Sequence, residues 1–227
     1  MAHLFLRQFQ LAILADLTFE DQISSVSRAC FYHIRDLRRI HSVINFNTAK
    51  TIGTSFVHSR LDFCNSSYYF LPKTQLNRLQ HIQNSVACAV VAAPRSSDAD
   101  LILKSLHWLR VPECIEYKIA STTYKLLQHS SPQYLRAISS LSSLSGPPDP
   151  HRWSLFHLQL QSSLKVTSRS FHYSAPYLWQ TSSITHITMF SATSSGCPPF
   201  SGPVVGLSYL VFHSRLKTHL FSRSFPP

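Results

Sequence analysis

The chain has 227 residues, 44% of them hydrophobic and only 14% charged, which excludes a wholly disordered polymer and allows one or two domains. Lys and Arg number 21 against 10 Asp and Glu, a formal net charge of +11. That balance favours a polyanionic partner, nucleic acid before an anionic membrane.

Residues 1–19 read either as a short strand over Leu11–Leu14 or as disordered chain, with Asp16 and Thr18 as turn residues. Arg7, Gln8 and Gln10 interrupt the apolar start, which makes it a poor signal peptide. The pattern turns helical from Phe19 to Ile40. Ile23, Val26, Cys30, Ile34 and Leu37 recur at steps of three and four, the apolar stripe of a core helix. Glu20 and Asp21 lie in the first turn and the arginines cluster late, as the helix dipole favours. A second helix follows within 46–69, capped by Asn47 or Thr48. Ala49, Ile52, Phe56, Val57 and Leu61 form its apolar side. Gly53 in its interior costs about 1 kcal/mol against alanine and marks either a close helix approach or nothing at all.

Leu71-Pro72 makes a turn, because proline cannot continue a helix and restricts its predecessor. Thr74 stands where an N-cap belongs. Leu76, Leu79, Ile82 or Gln83, Val86 and Val90 then form a stripe, and Pro94 ends the helix. Ser97 or Asp98 caps a short helix over Ala99–Leu106. Pro112 opens another helix, with Ile115, Ile119, Thr123 and Leu126 or Leu127 facing inward.

Beyond residue 136 the composition changes to Ser and Pro, and residues 131–227 hold one acid, Asp149. Residues 131–160 read as a linker. Residues 161–181 read as a short strand or hairpin arm near Ser163–Tyr173, followed by an aromatic clasp at Ala175–Trp179. Residues 182–210 read as a disordered loop, and 211–227 as a short helix and tail. The fold class is therefore mainly α: a small bundle of about four helices over 20–130, then a largely irregular tail.

Catalytic arrangements are not apparent. No Asp-Asp pair suits two-metal chemistry, and Asp98 and Asp100 sit in a loop with Arg95 nearby. No HExxH, GxxxxGK[ST], GxGxxG or GxSxG occurs. The 13 histidines show no metal-ligand spacing, and the five cysteines, Cys30, Cys64, Cys88, Cys114 and Cys197, form no CxxC pair. Scattered thiols of this kind suit a reducing compartment. No apolar run reaches the roughly eighteen residues that span a membrane. No cofactor or metal is expected, and no catalytic residue is assigned.

The basic residues are more suggestive. Arg28, Arg35, Arg38 and Arg39 lie on one helix, with Phe31 and Tyr32 between them; Arg78 and His81 lie off the stripe of a second helix. Two readings stand for these six. They form a solvated polar face, or they meet phosphate. Phe31 and Tyr32 stack on bases in the second reading, unless Phe31 is buried.

Three blocks, FEDQISSVSRACFYHIRDLRRI, VHSRLDFCNSSYYFLPKTQLNRLQHIQNSVACAVV and LILKSLHWLRVPECIEYKIASTTYKLLQ, resemble the region after the palm in LINE-type non-LTR retrotransposon reverse transcriptases. SSLKVTSRSFHYSAPYLWQ and FHSRLKTHLFSRSFPP resemble the C-terminal end of the same polyproteins. The likeness covers residues 11–181 and 211–227, and the order of the five blocks makes it specific. LAILADLTFEDQI resembles the strand that closes the palm, with Ala12 where the family favours glycine. Residues 182–210 depart from the pattern. The palm with its paired aspartates has no counterpart here. The resemblance implies a helical thumb that holds a template–primer duplex, followed by a tail, and it transfers no catalytic residue.

The expected function is that of a non-catalytic remnant of a reverse transcriptase, with at most weak, sequence-independent binding to RNA or DNA backbone. The alternative is a translated transposon-derived fragment, partly unfolded and without a selected function. Either way the chain is expected to be intracellular, nuclear or cytoplasmic.

Overall fold

The computed structural model describes residues 19–129, 171, 174–175, 177–178 and 207–226. These residues are mainly helical, and no strand occurs among them. The palm-closing strand expected near Leu11, the linker 131–160, most of the 161–181 segment and most of the loop 182–210 lie outside them. Where the hairpin arm was expected, Phe171 is helical, as are Ser174, Ala175, Tyr177 and Leu178.

The described residues form two compact units. The first takes the chain up to Asn65 and Leu71–Pro112; the second takes Ser66–Phe70 and everything from Glu113 onward. The division falls inside the 20–130 stretch that the sequence presents as one bundle.

The first unit starts with α1, Glu20–Ile40, and continues through a 3-10 turn, His41–Val43, to α2, Phe46–Gly53. A π-helical turn, Thr54–His58, leads into α3, Ser59–Asp62. Two longer elements follow, α4 over Lys73–Val90 and α5 over Ala99–Leu106. Helix α4 is the hub, packed along α1 and against α2 and α5. The stripe read on α1 is the buried one: Ile23 and Cys30 are fully buried, and Val26, Ile34 and Leu37 nearly so. On α4 both Ile82 and Gln83 are buried, with Leu79, Val86 and Val90.

Several helix ends differ from the expected caps. Asn45, not Asn47 or Thr48, caps α2: its Oδ1 accepts from the Thr48 N–H at 2.8 Å. The capping side chain must sit outside the helix in extended backbone, and Asn45 does, with ψ 165°. Thr74 lies inside α4 and does not cap it. Pro72 is the N-cap, with no side-chain cap bond; its carbonyl accepts from the N–H groups of Gln75 and Leu76 at 2.9 and 3.2 Å. Helix α4 ends before Pro94. Ala92 takes the left-handed conformation at φ 55°, and the Ala93 N–H reaches back to the Cys88 carbonyl at 2.9 Å, the closing bond of a Schellman turn. Of the two candidates for α5, Asp98 is the cap, accepting from Asp100 and Leu101.

Phe56 was expected on the apolar side of α2, yet it is 47% exposed while Val57 is buried. The π turn adds a residue to the helical repeat and rotates everything after it. Phe56 then stacks on His33, with ring centroids 5.1 Å apart.

The loop after α5 hangs on two glutamines of α4. Gln83 Nε2 donates to the Leu109 carbonyl at 2.8 Å, and Gln80 Oε1 accepts from the Val111 N–H at 2.9 Å. Gln80 Nε2 donates in turn to Gln83 Oε1 at 2.9 Å. This explains a polar residue in the apolar stripe: Gln83 is buried because it satisfies a loop carbonyl that water cannot reach. Gln83→Leu is expected to destabilise the first unit by about 1–3 kcal/mol, since it removes a buried hydrogen bond to that carbonyl. Urea unfolding measures this; an unchanged midpoint would refute the role given to Gln83.

The second unit contains most of α6, Val111–His129, and α7, Tyr209–Ser224. Helix α6 begins one residue before the Pro112 start read from sequence, and α7 begins two residues before the 211–227 stretch read as a short helix and tail. Ser208 caps α7, and Leu207 just before it is buried rather than part of a loose loop. The α6 stripe of Ile115, Ile119, Thr123 and Leu126 is buried as read. Tyr124 stacks on Phe212 with centroids 3.8 Å apart, and its hydroxyl donates to the Leu207 carbonyl. Arg223 pairs with Glu116 and, at 3.8 Å, with Glu113. The early stretch Ser66–Phe70 belongs here too, with Phe70 and Tyr69 against Tyr177 at centroid distances of 5.2 and 6.5 Å.

Candidate nucleic-acid interface

Side chains of α1, of α4 and of the turn beyond α4 line a cleft of about 740 Å³ within the first unit. Four arginines line it: Arg28, Arg35, Arg38 and Arg95. No acidic side chain is among the lining residues. The first three step by seven and three along α1, so one side of the helix presents them together. Arg95 comes from the turn beyond α4.

Arg38 differs from the other three. Its Nε and Nη2 are sealed from solvent and have no hydrogen-bond partner among the described residues. A guanidinium keeps its charge at any physiological pH, and unsatisfied buried donors carry a desolvation cost. Atoms that water cannot reach are out of reach of a larger oxyanion as well, so phosphate contact falls first to the exposed Arg28, Arg35 and Arg95.

The aromatic residues fall on the same cleft. Phe31 is 40% exposed and Tyr32 55%, which settles the open question of Phe31: it is not core. The Arg35 guanidinium lies 5.4 Å from the Tyr32 ring centroid, a cation–π arrangement. His81, reaching in from α4, has its ring 6.0 Å from that of Phe31. Asn84 and Ser85 continue the α4 wall, and Ile34 and Cys88 form an apolar floor.

Of the six residues singled out in the sequence, four meet here: Arg28, Arg35, Arg38 and His81. Two do not. Arg39 points away and pairs loosely with Asp36 at 3.8 Å, both well exposed, a contact worth little. Arg78 donates to Gln75 Oε1 and Ser24 Oγ, each at 3.1 Å, and ties the start of α4 to α1. Arg95 was the residue missed. In sequence it is a lone arginine in a loop; only the reversal at Ala92 returns it to the cleft.

Other constellations have ordinary structural explanations. Asp98 is spent on its cap and Asp100 on an ion pair with Arg110 at 2.6 Å. Among the described residues no group of three or more His, Cys, Asp or Glu is placed to hold a metal ion. Burial pushes the Cys30 thiol up to about 11, so it stays protonated at neutral pH despite the nearby Arg60. Tyr117 Oη and His213 Nδ1 lie 2.7 Å apart in the second unit. Burial raises the tyrosine and lowers the histidine, so the pair is neutral. No described helix is long and apolar enough to cross a membrane.

No family model matches the chain, and the comparisons with curated proteins and with solved structures give no match.

Proposed function

We propose that this chain is a non-catalytic relative of the thumb region of LINE-type reverse transcriptases, and that its first unit grips the backbone of RNA or DNA without reading sequence. The observation that carries the reading is the α1–α4 cleft: four arginines and no acid among the residues that line it. Phosphate is the ligand group that satisfies such a cluster and carries no sequence information. The excess of basic residues along the whole chain adds long-range attraction. This reading carries an intracellular location, nuclear or cytoplasmic, and assigns no catalytic step.

Titration of a labelled RNA–DNA duplex at several salt concentrations tests it. Up to four arginine–phosphate contacts should give a plot of log affinity against log salt with a slope of about −3 to −4. Arg28→Ala, at an exposed position of the cleft, should weaken binding and make the slope shallower by about one. Absence of binding to the duplex and to either of its separated strands at the lowest salt would end the reading.

A further inference from the structure

The cleft has more in it than a phosphate grip requires. Its volume, about 740 Å³, lies within the range of about 300–1,000 Å³ typical of small-molecule sites. Arginines on a convex surface would serve for a duplex backbone. Here they surround a concavity whose wall offers two exposed aromatic rings. A paired base presents only its edges in the grooves, because its faces are stacked inside the helix. Aromatic faces next to phosphate donors therefore gain nothing from an intact duplex. They suit an unpaired nucleotide, whose base is free to stack.

We infer that the α1–α4 cleft holds an unpaired nucleotide of a single strand, with its phosphate among the cleft arginines and its base against Phe31 and Tyr32. The inference rests on the backbone-binding reading above and narrows it from nucleic acid in general to single strands. Arg28 and Arg95 stand ready for neighbouring phosphates. Arg35, laid against Tyr32, extends the flat surface on which a base rests, as guanidinium planes do in single-strand sites. His81 beside Phe31 widens it from the α4 side. Apolar stacking does not distinguish one base from another, so the site is tolerant of sequence.

Three probes separate the possibilities, each titrated against the full chain at low salt by fluorescence anisotropy. They are a labelled homopolymeric strand of about twelve nucleotides, within the span of known single-strand sites, an abasic strand of equal length, and a blunt duplex of equal length. The intact strand should bind about tenfold tighter than the abasic strand, the effect of a stacked base. It should also bind tighter than the duplex. Tyr32→Ala and Phe31→Ala should each lower single-strand affinity several-fold, and by more than they lower duplex affinity; both side chains are exposed, so the fold is retained, as far-UV circular dichroism would verify. Equal affinity for the intact and abasic strands overturns the single-strand site while leaving the backbone grip standing. No binding to any of the three overturns both. The abasic comparison leaves the protein untouched, so it decides even if a variant misfolds.

Discussion

Gly53→Leu is expected to destabilise the first unit by about 3 kcal/mol, the upper end of what overpacking a core costs. The residue sits in regular helical backbone, with φ −57° and ψ −42°, so conformation does not demand glycine. Space does. A Cβ built there would lie 2.9 Å from Val90 Cγ2 and 3.2 Å from Val86 Cγ2, with Leu37 Cδ2 at 3.8 Å. All three partners are buried on α4 and α1, and β-branched valines in a helix have little rotamer freedom with which to retreat. Gly53→Ala is the informative control. It gains about 1 kcal/mol in helix propensity and loses about as much or more to crowding, so its net change should be small. Amide exchange along α4 reads the first unit by itself. Wild-type protection in Gly53→Leu would show that the helices do not meet at this point.

Acid is expected to weaken the same unit through His58. Its ring meets Trp108 edge to face at 4.1 Å between centroids. The residue keeps some exposed surface, but Nε2 is sealed and has no partner among the described residues. Burial lowers its pKa from 6.5 to about 4. The folded state thus prefers the neutral ring, while the unfolded state takes up a proton near 6.5. Stability is complete above the unfolded value and is lost as pH falls toward the folded one. The full loss is of order 3 kcal/mol, about 2 of them by pH 5. His33 is also lowered, by burial and by Arg60 against an opposing Asp36, so it adds in the same direction. His58→Phe isolates the larger share: its urea midpoint should fall less between neutral pH and about pH 5 than that of the wild type. Parallel curves for the two proteins would sink the assignment.

The helices were legible because burial imposes period. Ile23 through Leu37 on α1 and Ile115 through Leu126 on α6 showed their inner faces directly. Helix ends were less legible, because capping depends on backbone geometry that several neighbouring residues could supply; Asn45, Asn47 and Thr48 all had a suitable side chain. Phe56 was misplaced by the π turn, which no residue pattern announces. The site was partly visible, since a basic face with aromatics can be read along α1. Its concavity was not visible, because that depends on how α4 packs along α1 and on the turn at Ala92 that delivers Arg95. Gln83 shows the same limit from the other side: its burial makes sense only once the Leu109 carbonyl is known to need a donor.

The placement of Ser66–Phe70 bears on any attempt to isolate half of this protein. Tyr68 is 1% exposed, and Tyr69 and Phe70 rest on Tyr177, far downstream. A fragment ending at Pro112 would keep these three rings and lose what shelters them. Such a fragment should self-associate through that aromatic knuckle. During synthesis the same rings emerge from the ribosome long before their companions and must wait in water for them, a window in which a chaperone has something to hold.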